Sequence, residues 1–302
     1  MNLLHISDAH FGPRHWEGND QLLLDKLNAY QADIVINTGD STSDGLESEF
    51  EEAEQFFNSI DCEHVISIMG NHDKRNMRSQ ELHKKHIYHP ENIYPSIPEN
   101  CTKKNLYLDR RITKINENYT DINFVTTISI NQESILIVSL DSNEIYKDIG
   151  FVDEEVLRTV SNKLDQLTYD KALLMIHHSI LGVDEDPLQN SMRLIDFVVK
   201  HKIEHVFCGH THELDLRQSF DLYSKHSFTQ YMNGSLCSCN HSHDSNMFLF
   251  FENWGDDDMK IQLVRIFPEG DRISFKEETI LGDRIPRIRS ILPNQGRGSD
   301  RA

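Results

Sequence analysis

The chain has 302 residues, 38% hydrophobic and 26% charged, with 14 Gly and 8 Pro, a composition that fits a folded globular protein and excludes a fibrous or wholly disordered one. Asp and Glu total 49 against 30 Lys and Arg, giving a formal charge of −19 that repels long polyanions and disfavours nucleic acid as a partner. No run approaches the roughly 20 apolar residues of a membrane span, the start Met1-Asn2-Leu3-Leu4-His5-Ile6-Ser7 lacks the pattern of a secretion signal, and five scattered Cys read as reduced thiols, so a cytoplasmic protein without a membrane partner is expected.

Apolar runs and amphipathic stretches alternate from the start: Leu3 to Ile6, Asp20 to Tyr30, Ile34 to Asn37, Leu46 to Ile60 and Val65 to Met69. That rhythm predicts βαβαβ. The acids around Glu49 to Phe57 read as the solvated face of a helix that turns Phe50, Phe56 and Phe57 inward. From 74 to 121 the periodicity dissolves into His, Lys, Asn and Pro, which predicts a cap or substrate loop inserted in the domain. Ile122 to Ile130 and Ser134 to Leu140 follow as paired strands about Asn131-Gln132-Glu133. A helix from Asp153 to Gln166, with Asp153 as N-cap, precedes the strand Ala172 to Ile176, the helix Met192 to His201 and the strand His205 to Cys208. The remainder reads as β: Thr229 to Met232, Met247 to Phe251, and a hairpin of Lys260 to Phe267 with Arg272 to Thr279. One catalytic domain over 1–281 with a flexible basic tail at 282–302 is the expected organisation.

Five short motifs each fall just behind an apolar run, where α/β architectures collect functional groups: Asp8-Ala9-His10, Gly39-Asp40, Gly70-Asn71-His72-Asp73, His177-His178 and Gly209-His210-Thr211-His212. Asp8, Asp40 and Asn71 offer hard oxygens; His10, His177, His210 and His212 offer imidazoles. The mixture suits Mn, Fe or Zn better than Mg or Ca, and the absence of Cys from the motifs argues against a structural zinc site. Arg14 and His15, behind the first motif, and Arg75, behind the third, are candidate phosphate contacts. The segment Cys237-Ser238-Cys239-Asn240-His241-Ser242-His243 alternates Cys and His but lacks zinc-ligand spacing, so it reads as an ordinary strand end.

In this order, from residue 8 to residue 212, the motifs resemble those of the calcineurin-like metallophosphoesterases. The resemblance implies an α/β fold, a four-layer αββα sandwich of two mixed β-sheets flanked by helices, with a dinuclear metal site at the strand ends. It implies one divalent cation on Asp8, His10 and His212, a second on Asn71, His177 and His210, and Asp40 bridging both, with manganese favoured. His72 would face the phosphate and stabilise or protonate the leaving oxygen, Asp73 would orient its imidazole, and His178 would hydrogen-bond the phosphate. The prolines usual after the His doublet are replaced by Ser179-Ile180. Leu140-Asp141-Ser142 and the stretch from Gly209 to Leu216 are similar to phrases of the class III cyclic-nucleotide phosphodiesterases. The implied reaction is hydrolysis of a small nucleotide-like phosphodiester, a water between the two cations losing its proton and attacking phosphorus in line. A nuclease of the same superfamily and a phosphomonoesterase are the alternatives. The full complement of ligands, with His72, argues against a non-catalytic scaffold.

Overall fold

A computed structural model describes residues 1–16, 18–87, 94–95, 122–182, 187–239, 246–270 and 272–281. Two sheets dominate it. The first runs in spatial order β13 (Arg272–Leu281), β12 (Lys260–Glu269), β11 (Met247–Glu252), β1 (Leu3–Ile6), β2 (Ile34–Asn37) and β3 (Val65–Ser67). The second runs β4 (Tyr94–Pro95), β5 (Phe124–Ile130), β6 (Glu133–Leu140), β7 (Lys171–Ile176), β8 (His205–Cys208), β10 (His226–Met232) and β9 (Asp215–Asp221). Helices α1 (Asp20–Asn28), α2 (Glu47–Asn58) and α3 (Ser79–His86) accompany the first sheet, α4 (Glu154–Leu164) and α5 (Ser191–Lys200) the second.

The layering follows from strand parity. Successive side chains on a strand point to opposite faces, so a strand apolar at every position must be covered on both sides. Leu3, Ile34 and Ile36 meet Ile135, Ile137, Leu173, Met175, Phe207 and Leu249 in a core between the sheets. Their neighbours Leu4, Ile6 and Val35 pack outward with Leu23, Leu27, Phe50, Ala53 and Phe56 of α1 and α2. On the other side Leu136, Val138, Leu174, Ile176 and Val206 pack with Val156, Val160, Leu194 and Val198 of α4 and α5. The result is the expected αββα order. Each such side chain contributes about 1.5–3 kcal/mol when fully buried, and a one-residue slip would exchange the two layers, which pins the register.

Within each sheet the chemistry-bearing strands are parallel: β1 with β2, β2 with β3, β6 with β7, and β7 with β8. Their C-terminal ends therefore collect along one edge. Fully buried Lys74 ties the sheets together there, its ammonium paired with Asp141 at the end of β6 and 2.9 Å from the Asn143 carbonyl. Replacing Lys74 by Met is expected to destabilise the fold by roughly 3–5 kcal/mol, because a buried carboxylate loses its cation. Urea unfolding measures this; a loss below about 1 kcal/mol would mean that Asp141 is satisfied by other groups.

Three expectations need correction. Ser79–His86 is a helix, not loop; its buried face is Ser79, Gln80, Leu82, His83 and His86, so apart from Leu82 the helical period is carried by polar residues. Residues 74–78 form the turn that leads into this helix, and the rest of the expected cap lies outside the described residues apart from 87 and the short β4, as do the tail 282–302 and the segment 240–245 with His241 and His243. Strand β9 has no counterpart in the apolar pattern, because it is a largely exposed edge pairing antiparallel with β10. Glu49 is not solvated: it is 3% exposed and accepts from the backbone N–H groups of Asp44 (2.9 Å) and Leu46 (3.1 Å), closing the start of α2. No helix among the described residues is long and apolar enough to cross a membrane.

Candidate metal centre

Three of the five motifs turn sharply as their strands end. Asp8, His10, Asp40, His210 and His212 all have φ between 51° and 81°, the left-handed region that non-glycine residues rarely occupy. Five such residues at one edge store strain that the surrounding packing must hold, and the tight turns aim their side chains at a common volume. Glycines make this closeness feasible. A β-carbon on Gly70 would overlap Asp40, and one on Gly209 would overlap Ser7 and Asp8.

Two groups of side chains converge around Asp40. In the first, His10 Nε2 and His212 Nε2 meet at 2.9 Å, and Asp8 Oδ1 lies 3.2 Å from His212 Nε2 and 4.0 Å from His10 Nε2. Asp40 Oδ2 is 3.9 Å from His10 Nε2, and one ligand atom from each of these four residues lies within 4.8 Å of the others. In the second, Asn71 Oδ1 is 2.9 Å from His177 Nε2 and 3.0 Å from His210 Nδ1, and His177 Nε2 is 3.5 Å from the same Asp40 oxygen. Bonds of roughly 2.0–2.2 Å to one cation place adjacent donors roughly 3–3.5 Å apart; the separations of 2.9–3.5 Å fall near this range, and the two from His10 to Asp8 and Asp40, at 4.0 and 3.9 Å, are wider.

The electrostatics suit the same occupant. Burial acts to raise the carboxyls of Asp8 and Asp40, but the imidazoles, His212 first for Asp8 and His177 first for Asp40, outweigh it and hold both below the ordinary carboxylate range. Burial pushes His10 down to about 3 and His210 down to about 4, so both present lone pairs at neutral pH. His177 is different: burial opposes its charge, yet Asp40 raises it to about 9. Its Nδ1 lies 2.8 Å from the Thr38 carbonyl and donates to it, leaving Nε2 to face Asn71 and Asp40. Anionic oxygens, an amide oxygen and imidazole nitrogens in one buried volume are a donor set for Mn, Fe or Zn.

His72 stands beside this cluster without joining it. Its Nδ1 donates to the Ser43 carbonyl at 2.7 Å, and its Nε2 accepts from Arg14 Nη1 at 3.0 Å. Asp73 does not orient that imidazole, contrary to expectation. Its carboxylate turns back to accept from the N–H groups of Gly70 (2.9 Å), Thr42 (2.8 Å) and Ser41 (3.2 Å) and from the Thr42 hydroxyl (2.7 Å), so it shapes the loop around Asp40. His178 is likewise removed from phosphate binding in this structure: the Ser142 hydroxyl lies 2.7 Å from Nδ1 and the Asp148 carbonyl 2.7 Å from Nε2, so both ring nitrogens are engaged. His15 is held by Asp20 (2.8 Å) and the Ala9 carbonyl (2.9 Å) rather than facing the cluster.

Arg75 Nη2 lies 3.3 Å from Asp148 Oδ1, the oxygen that accepts from Asn71 Nδ2 at 2.9 Å. A carboxylate only accepts, so Asp148 dictates which way the Asn71 amide points and turns its oxygen toward the two imidazoles. Sequence reading passed over Asp148. Its one signal is position, in the loop behind β6 at the functional edge.

The calcineurin-like phosphoesterase family matches residues 1–214, the part of the chain that carries every one of these motifs. A probable glycerophosphodiester phosphodiesterase GpdQ of Arcobacter nitrofigilis is 24% identical over 236 residues, covering 71% of this chain and 72% of that protein. Among solved structures, GAP50, the anchor in the inner membrane complex of Plasmodium, superposes with a TM-score of 0.51 at 9% identity, covering 94% of this chain and 90% of its own. The purple acid phosphatase PPD1 of yellow lupin, Lupinus luteus, gives 0.51 at 10% identity over 88% of this chain and 51% of its own. These two likenesses concern the fold alone. With the family match extending over residues 1–214 and its motifs gathered at one sheet edge, the chain belongs to the calcineurin-like phosphoesterases, metal-dependent hydrolases of phosphoester bonds.

Proposed function

We propose that this protein is a dinuclear phosphodiesterase acting on a small organic phosphodiester. The observation that carries the reading is the pair of donor groups sharing Asp40, with one oxygen facing His10 at 3.9 Å and His177 at 3.5 Å. Asp8, His10 and His212 would hold one divalent cation, Asn71, His177 and His210 the other, and Asp40 both. Manganese is the favoured metal. When bound, the two cations supply Lewis-acid charge and an activated water. The chain's own contribution is positional: Arg14 and His72, joined at 3.0 Å, offer a cationic and an imidazole group to the phosphate oxygens. A diester fits better than a polynucleotide because the net charge is −19. The 24% identical relative, named as a probable glycerophosphodiester phosphodiesterase, supports the diester class.

The test is manganese-reconstituted protein assayed against glycerophosphodiesters, cyclic nucleotides, bis-nitrophenyl phosphate, nitrophenyl phosphate and single- and double-stranded DNA. Turnover confined to small diesters is expected. Preference for the monoester or for DNA would overturn the substrate class.

Asp148 gives a second check. Replacing it by Ala frees the Asn71 amide to turn its NH₂ inward, and is expected to weaken cation binding at the Asn71, His177 and His210 half by roughly 10–100-fold, the cost typical of losing a group that orients a metal ligand. Calorimetric metal titration reads this, and unchanged affinity would show that the amide is fixed without Asp148.

A further inference from the structure

Helices α2 and α3 carry a second set of metal-capable side chains, none of them part of the cluster around Asp40. Glu47 and Glu51 lie four residues apart, on one face of α2, and His86 ends α3; one ligand atom from each lies within 4.8 Å of the others. Acids on a helix face are ordinary. The histidine is not: His86 is 6% exposed, and its Nε2 is buried with no hydrogen-bond partner. Its Nδ1 lies 2.7 Å from Glu54 Oε2. Because that carboxylate accepts, Nδ1 carries a proton, and the buried Nε2 is left with nothing to pair with, a cost of about 1–3 kcal/mol for a buried polar atom.

A carboxylate fixing one imidazole nitrogen while the other is free is the arrangement of a metal-bound histidine. We propose that Glu47, Glu51 and His86 bind a divalent transition-metal cation, best matched by zinc, which clamps α3 to α2. Two carboxylates with one imidazole suit zinc better than calcium or magnesium, and three protein ligands leave a coordination position for water. Glu47 already has company: Lys85 Nζ lies 2.7 Å from its Oε1 and Arg78 Nη1 3.3 Å from its Oε2. Each carboxylate oxygen has more than one acceptor direction, and Lys85, with its side chain 54% exposed, swings into solvent at little cost. The clamp has a mechanical consequence. Helix α3 follows the turn that holds His72 and Lys74, so a cation at its far end ties that segment to α2.

Crystals soaked in Zn²⁺ and measured at the zinc edge test the site directly, since an anomalous peak between Glu47, Glu51 and His86 is resolved from any peak around Asp40. In solution, Zn²⁺ at about a hundredfold excess over its dissociation constant, added to manganese-loaded protein, is expected to raise Tm by about 4 °C. That shift should be lost in Glu51→Gln and in His86→Gln, and Lys85→Met should lower the Zn²⁺ concentration needed. Glu51 is exposed, so its variant reports even if His86→Gln folds poorly. The proposal is overturned if no peak forms between the helices, or if Glu51→Gln keeps the full shift.

Discussion

Asp40→Asn is expected to lower turnover by roughly 1,000-fold or more and to reduce the metal content of both halves of the centre. One carboxylate does three things at once here. Its Oδ2 faces His10 and His177, and its Oδ1 accepts the His72 backbone N–H at 2.7 Å, all at 1% exposure. An amide cannot reproduce this in either orientation: the NH₂ faces either the cations or another N–H donor. The charge also sets the proton on His177, which Asp40 raises to about 9 against the effect of burial. A cation entering that half must displace the proton, so apparent metal affinity should rise about tenfold per pH unit toward pH 9 and then level. In Asp40→Asn the His177 pKa falls, and the levelling should come at lower pH. Metal analysis by mass spectrometry, paired with turnover of an aryl diester, decides the matter. Two tightly held metals with near-normal activity would remove Asp40 from the shared position.

What the sequence made legible was whatever apolar periodicity or strand-end position encodes. Leu3 and Leu4 are adjacent, both apolar and both buried in different cores, which is the signature of a strand covered on two sides. Asp8, Asp40, Asn71, His177 and His210 are found together because the parallel strands bring their C-terminal ends to one edge. Partner choice was legible only in part. His177 was chosen over its neighbour as the ligand and does face Asn71 and Asp40, whereas the engagement of His178 with Ser142 and the Asp148 carbonyl, in place of phosphate, left no mark in the sequence. Asp73 sits next to His72 yet bonds the loop around Asp40, because its carboxylate is turned toward four donors there. Helix α3 escaped notice because its buried face carries one aliphatic residue, Leu82, among Ser79, Gln80, His83 and His86.

His72→Ala is expected to leave metal content intact and to slow turnover by roughly 100- to 10,000-fold. Metal should persist because both ring nitrogens are engaged outside the donor groups, with Ser43 and Arg14, and the ring only packs edge-on against His10 at 4.8 Å between centroids. The same geometry separates two roles. Burial lowers the His72 pKa, so the imidazole is neutral in the free protein, and its Nε2 accepts from Arg14 rather than offering a proton. To act as an acid it must gain that proton when an anionic oxygen takes Arg14's place. An acid role then predicts that the deficit of His72→Ala shrinks for nitrophenyl leaving groups, which need little protonation, and that a pH limb of the rate disappears with the imidazole. If the deficit is equal for good and poor leaving groups and the pH profile keeps its shape, His72 acts by holding Arg14 against the phosphate. Arg14→Lys should in that case lose nearly as much rate as His72→Ala, because an ammonium cannot keep the fork of donors that spans imidazole and phosphate together.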